Sequence, residues 1–206
     1  MEAALMHIRR MGLPCDLASL QFMTGIGIVA VLALPVLRSL LESSLTAHMF
    51  GQIPLLVLAG WMIGKGRFAF LFGDWNRHGI PGLLIALFAM LFWMIPRWLD
   101  ASLSEPLWEV IKFITIPLLI GVPLGVSWSR MSAFSRAVVW ANAISMLGVL
   151  GWLYVAAPVR VCNNYLVNQQ QDFGYTAMVL AVAIAAYWAG VGFFGRWDQL
   201  ESEKSE

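Results

Sequence analysis

The side chains of this sequence that suit metal chemistry are one histidine, one cysteine and several methionines near the ends of long apolar runs. They are His48, Met49, Met94, Cys162 and Met178. Copper(I) prefers soft sulfur donors and accepts imidazole beside them. One interpretation is therefore a transient copper(I) site formed by these residues, provided that the helices bring them together.

The same residues also have a structural interpretation. Methionine fills irregular space between packed helices, and a histidine at the end of a membrane span anchors that end at the interface. Both interpretations remain open from sequence. The chain has no nucleotide-binding loop, zinc-protease helix or nucleophile elbow, so we do not expect an enzyme.

A polar, amide-rich link, residues 157–178, separates two long apolar runs. Its amides offer hydrogen-bond donors and acceptors without the desolvation cost of charges. We expect it to face a partner protein, together with two acidic residues from earlier segments. The predicted partner-binding residues are Asp100, Glu109, Asn163, Asn164, Gln170 and Gln171.

The elements that must position these residues are membrane-spanning helices. The chain of 206 residues is 60% hydrophobic and only 12% charged, so it cannot hide its apolar groups in a soluble core. The predicted spans are 20–40, 46–64, 79–95, 107–128, 134–156 and 174–194. The predicted fold is therefore an all-α polytopic membrane helix bundle with about six transmembrane helices.

The whole chain, residues 1–206, is predicted to be a single integral membrane domain. Residues 1–19 would be a cytoplasmic or interfacial segment, 20–195 the transmembrane bundle, and 196–206 a polar cytoplasmic tail. Two pairs of glycines one helical turn apart, Gly60 with Gly64 and Gly121 with Gly125, predict close packing between spans.

Lysine and arginine orient the bundle. Nine of these residues fall on the side of the termini and four on the other, which predicts cytoplasmic termini and an outward-facing link. The expected location is a bacterial cytoplasmic (inner) membrane, crossed several times. The formal net charge of +1 without a basic stripe argues against nucleic acid as a partner.

Charged residues inside the predicted spans are scarce, so we do not expect a buried proton relay. Two ion pairs across one helical turn are predicted at the outer ends of helices. They join Arg97 to Asp100 and Glu109 to Lys112.

Several short stretches, in the same order, resemble the CtaG-type membrane proteins. His48-Met49 resembles a repeated His-Met pair of that family, with Gln52 where the second histidine would be. The stretches Trp93-Met94-Ile95-Pro96 and Leu99 to Leu103 resemble a Trp-His-x-Pro element and the segment that follows it. Trp108-Glu109-Val110 resembles a Glu-His helix start, and Gln170, Gln171, Gly174 and Met178 resemble the pattern before the last span.

The resemblance implies an assembly factor of caa-type cytochrome c oxidase that takes part in copper delivery. Its partners would be the lipid bilayer and a membrane cytochrome oxidase or its copper chaperones. Three family histidines are replaced here, by Gln52, Met94 and Val110. Two other hypotheses therefore stay open: a partner-binding membrane subunit without metal, and a small-molecule permease.

Overall fold

The computed structural model describes residues 15–66 and 74–194, and in these ranges all the regular structure is helical. The N-terminal residues 1–14 and the tail 196–206 lie outside the described residues. The helices are α1 Cys15–Leu32, α2 Pro35–Leu41, α3 from Leu45 to Gly66, α4 Ile80–Trp93, α5 Pro96–Ser104, α6 from Pro106 to Ser127, α7 Ala133–Ala156 and α8 Val167–Phe194. A short 3₁₀ turn, Asp74–Asn76, precedes α4.

Two of the long helices contain a turn of π-helix. In α3 the segments are Leu45–Ala47, the π turn His48–Gln52 and Ile53–Gly66; in α6 they are Pro106–Thr115, the π turn Ile116–Gly121 and Val122–Ser127. Each π turn contains or adjoins a proline, Pro117 and Pro54. Proline has no N–H for the i−4 carbonyl, so a widened turn next to it keeps the helix continuous.

Four helices, α3, α6, α7 and α8, are long and apolar enough to cross a membrane. Two more spans are possible if each of two bent pairs counts as one, α1 with α2 (75°) and α4 with α5 (70°). The predicted class, a multi-pass helical membrane bundle, is confirmed. The chain thus contacts lipid.

The first predicted span, 20–40, contains a bend between α1 and α2, and the third, 79–95, ends at a similar bend between α4 and α5. Both bends precede a proline: Leu34 and Ile95 have extended backbones with ψ of 133° and 120° before Pro35 and Pro96. The proline ring clashes with a helical conformation of the preceding residue, so each helix stops and restarts in a new direction.

The predicted last span begins too late. Helix α8 starts at Val167, so the second half of the amide-rich link is helical and only residues 157–166 form a loop between α7 and α8. Hereafter "the link" means 157–166. Helix α1 begins at Cys15, within the predicted terminal segment 1–19.

The glycine prediction is confirmed, since α3 and α6 approach each other through these residues. A Cβ on Gly60 would lie 2.2 Å from the Pro117 carbonyl oxygen, and one on Gly121 would lie 2.4 Å from the Val57 oxygen. A Cβ on Gly125 would lie 2.4 Å from the Trp61 oxygen. Any side chain here would push the backbones apart, so these glycines fix the distance between the helices that carry the site.

Candidate functional site

The start of α3, the start of α6, helices α2 and α5, the link and the start of α8 meet at one end of the bundle, which we call the rim. Polar side chains from three of these regions form the rim cluster: Arg38, Glu42, His48, Gln52, Glu109 and Lys112. The opposite end is joined by neutral hydrogen bonds instead, with Asn76 Nδ2 donating to Ser127 Oγ over 2.8 Å and Gly82 N donating to Asn76 Oδ1 over 3.1 Å.

Lys112 is at the centre of the rim cluster and is fully buried. Its Nζ donates to Glu42 Oε1 over 2.7 Å and to Gln52 Oε1 over 3.3 Å. Gln52 Nε2 donates to the same Glu42 oxygen over 3.0 Å. A buried ammonium is tolerated only when it is paired and hydrogen-bonded, and the carboxylate and amide supply both.

A second ion pair joins α2 to α6, because Arg38 Nη1 donates to Glu109 Oε1. Arg38 Nε also lies 3.8 Å from Glu42 Oε2. The two cations and two carboxylates balance to zero formal charge. The pairs therefore hold α2, which has no buried residue, onto the bundle.

The two ion pairs predicted within single helical turns are wrong. Glu109 pairs with Arg38 and Lys112 with Glu42, as partners more than 60 residues away are closer than the helical neighbour. Asp100 accepts hydrogen bonds from asparagines of the link, while Arg97 lies over the Trp98 ring. Tertiary partners at this end outcompete pairs that are worth only a few tenths of a kcal/mol.

Lys112 is a buried charge inside a span, where we expected charges to be scarce. The helix that carries it runs without interruption from Pro106 to Ser127. The sequence signal was available: a lone lysine in the first turns of an apolar run, with Glu42 predicted on the same side of the membrane. The sequence analysis placed Lys112 in an ion pair with Glu109 and left Arg38, Glu42 and Lys112 out of the candidate site.

His48 lies in the π turn of α3, one turn before Gln52. It is fully buried, and neither ring nitrogen has a partner in good hydrogen-bond geometry, although the Gln52 side chain lies beside the ring. An unpaired buried polar group costs about 1–3 kcal/mol, and native proteins keep few of them. π turns recur at functional sites. His48 is thus a residue singled out from sequence whose ring nitrogens the fold leaves available for a ligand.

The predicted copper ligands lie in several different parts of the fold. Met49 and Cys162 belong to one buried hydrophobic core, and Met94, at the end of α4, packs against it. Met178 lies on α8 facing α7, where its Cγ would be 2.8 Å from a Cβ on Gly151. Within residues 15–66 and 74–194, no group of three or more His, Cys, Asp or Glu side chains is arranged to hold a metal ion.

Cys162 is a buried residue whose thiol is hydrogen-bonded within the fold. Its Sγ lies 3.1 Å from the hydroxyl of Tyr154, and its side chain is buried. Burial raises the pKa of the thiol, the hydrogen bond from Tyr154 lowers it, and the negative charge of Asp100 raises it further, with a net rise. Because the thiolate is the metal ligand, a thiol kept protonated at neutral pH binds copper(I) poorly.

The Gln170 amide is used to close the link. Gln170 Oε1 accepts from the N–H groups of Val161 and Cys162 over 3.0 and 3.3 Å. Its Nε2 donates to the carbonyls of Cys162 and Tyr165, each over 2.9 Å. One buried side chain thus satisfies four backbone groups of a loop that would otherwise leave them unpaired.

Asp100 and the asparagines are joined to each other. Asn164 donates to Asp100 Oδ1 from its backbone N–H over 3.0 Å and from its Nδ2 over 2.7 Å, and Asn163 Nδ2 donates to Asp100 Oδ2 over 3.1 Å. These contacts fasten the link to α5. Of the predicted partner-binding residues, Gln171 is exposed on α8, whereas the others named here and Glu109 have partners within the chain.

No protein-family model, curated protein or solved structure matches this chain. The class is therefore defined by the fold and the site: a multi-pass helical membrane protein with a partly buried, charge-balanced polar cluster at one end.

Proposed function

We propose that this protein is a membrane-embedded assembly factor for a copper-containing respiratory oxidase, without enzymatic activity of its own. It would act from a bacterial cytoplasmic (inner) membrane, with its termini in the cytoplasm and its rim outside. The observation that supports this most is His48, a buried imidazole with two unpartnered nitrogens at the rim. Short stretches of the rim resemble CtaG-type proteins in the same order along the chain, and this resemblance suggests copper as the cargo.

Copper(I) would be cargo. Transfer requires a few exchangeable soft ligands, and His48 with the thioethers of Met49 and Met94 is a donor set of this kind. Cys162 is a poor member because its thiol is protonated and hydrogen-bonded to Tyr154. Met178 packs on α7, so the proposal rests on His48 with the methionines near the rim.

The test is copper(I) binding by the purified full-length protein in detergent, under an anaerobic competition assay with a chromogenic copper(I) chelator. The wild type should retain about one copper(I) per chain, as soft-donor sites do in competition with moderate chelators. His48→Leu should lose it. His78→Leu is the matched control, because His78 is an exposed histidine near the opposite end, beside the Asp74–Asn76 turn.

A second measurement separates delivery from simple binding. Cells that lack the protein should recover oxidase activity and oxidase copper content when they express the wild type or His78→Leu. His48→Leu should restore neither. A wild type that binds no copper(I) would refute the metal part of the proposal.

A metal-free, partner-binding role is the second candidate, and Lys112 favours it. A buried ammonium is part of the same polar cluster as His48, and a cation brought to the imidazole would be repelled by it. Under this alternative, oxidase subunits would co-purify equally well with metal-free wild type and with His48→Leu. Copper-dependent co-purification would instead favour delivery.

A further inference from the structure

A groove of about 680 Å³ runs along the outside of the bundle between α4 and α6. It is separate from the rim cluster and is lined almost entirely by apolar side chains. They include Pro81, Leu84, Phe88, Phe92, Trp108 and Leu119. Phe88 is 70% exposed, so the groove opens sideways toward the surroundings of the protein, which are lipid.

The length of the groove limits what can occupy it. From Pro81 to Trp93 helix α4 rises about 18 Å, at about 1.5 Å per residue. One leaflet of a bilayer has a hydrocarbon thickness of about 15 Å, whereas a spanning helix needs about 30 Å. The groove therefore fits a lipid tail of one leaflet better than a partner helix.

At the rim end of the groove, three aromatic rings pack against each other. Trp98 of α5 stacks on Phe92 at 5.1 Å and contacts Trp108 at 4.5 Å between ring centroids, and both of these line the groove. Tryptophans of this kind gather at headgroup depth, where an apolar ring with one polar edge is most stable.

The charged guanidinium of Arg97 lies beside these aromatic rings. The guanidinium carbon of Arg97 is 6.0 Å from the centroid of the Trp98 ring, and Arg97 is exposed. Over the part of the chain that the structure describes, no carboxylate lies within ion-pair distance of Arg97. Asp100, one turn away, is turned to Asn163 and Asn164 instead.

We propose that this groove binds an anionic phospholipid, with one acyl chain between α4 and α6 and the phosphate on Arg97. An anionic lipid is favoured because its phosphate carries no cation of its own, whereas the phosphate of a zwitterionic lipid is already paired with one. A guanidinium suits phosphate through several N–H donors. This site is independent of the copper proposal, since no residue of the rim cluster contributes to it.

The test is native mass spectrometry of the purified full-length protein, delipidated and then given phosphatidylglycerol or phosphatidylcholine in equal amounts. The wild type should retain one phosphatidylglycerol in preference to phosphatidylcholine. Arg97→Gln should lower this preference about fivefold, as expected for one arginine at an anionic surface. Arg160→Gln, an exposed arginine in the link, is the matched control and should change nothing.

A second pair of variants tests the groove itself. Ala89 lines it, so Ala89→Trp should displace the retained lipid, while Ala186→Trp on the exposed face of α8 should not. Equal retention of the two lipids by the wild type would overturn the anionic proposal. Lipid retention that survives both Arg97→Gln and Ala89→Trp would place the lipid elsewhere and overturn the proposal. Recovery of a helix from a partner protein in the groove would also overturn the proposal.

Discussion

The rim cluster and the link lie at the same end of the bundle, yet they treat their polar groups differently. The link is held in place by neutral amides. Gln170 of α8 bonds to four of its backbone groups, and its two asparagines bind Asp100. The rim cluster uses charges from α2 and α6. In it the ring nitrogens of His48 have no hydrogen-bond partner, and neither has Arg38 Nε, which lies in an ion pair with Glu42. Complete satisfaction is typical of a structural element, so the difference directs attention to His48 as the place for a ligand.

The largest effect should come from breaking the rim cluster at its centre. Lys112→Met removes the buried cation and leaves Glu42 with its charge and fewer partners, which should lower the free energy of unfolding by about 3 kcal/mol. Lys65→Met, a lysine at the opposite end of α3, should change it little. The measurement is thermal or denaturant unfolding in detergent.

A compensating variant checks the cause. Glu42→Leu combined with Lys112→Met removes both charges and should recover most of the lost stability, because a well-packed apolar pair is about as stable as a buried ion pair. If the double variant is as unstable as Lys112→Met, the loss came from packing and the ion pair is not the reason.

The next largest loss of stability should come from removing Gln170, the α8 residue that bonds to the backbone of the link. Gln170→Ala leaves two N–H groups and two carbonyls without their partner, and should cost about 2 kcal/mol of unfolding free energy. Gln171→Ala changes an exposed neighbour and should stay within about 0.5 kcal/mol. Equal effects of the two variants would mean that water replaces the Gln170 amide without loss.

A smaller effect is expected at His48, and this prediction sharpens the comparison most. His48→Leu removes an imidazole that has no partner in good hydrogen-bond geometry, so the stability should stay within about 1 kcal/mol of wild type. Gln52→Leu, one turn later, removes an amide bonded to Glu42 and Lys112 and should be clearly less stable. A His48→Leu protein that unfolds readily would show that the imidazole has a structural partner.

The smallest effect should be the pH dependence of Cys162. Its folded pKa is raised, so its stabilising contribution is present below the unfolded value of about 8.5 and is lost as the pH rises through the folded value. In a Cys15→Ser background, maleimide labelling should therefore stay slow up to alkaline pH. Rapid labelling at pH 7 would indicate a thiolate instead.

The wild-type protein should also lose stability relative to Cys162→Ser between neutral and alkaline pH. Tyr165 titrates in both proteins, and because Cys162 is one of the groups that raise its pKa, its contribution cancels only in part. Burial raises the pKa of Tyr165 as well, so it contributes to the alkaline loss of each protein taken alone.

The sequence predicted the class of fold and most of the span boundaries because apolar length is a local property. It also predicted which residues gather at one end, since successive spans place their connecting loops on alternate sides of the membrane. It missed the bend at Pro35, although the residue before a proline is restricted by simple sterics. It missed the early start of α8, because Asn168 to Asp172 are polar residues that make a helix look like a loop.

What the sequence by itself determined is that this chain enters a membrane as helices, carrying few charges and a small set of soft donors near the span ends. Only the tertiary structure decided the partners: Lys112 with Glu42, Arg38 with Glu109, and Gln170 with the link backbone. Tertiary contacts set these pairings because buried charges and amides must find whichever partner the packing of α3 on α6 brings within reach. The same packing left His48 with none.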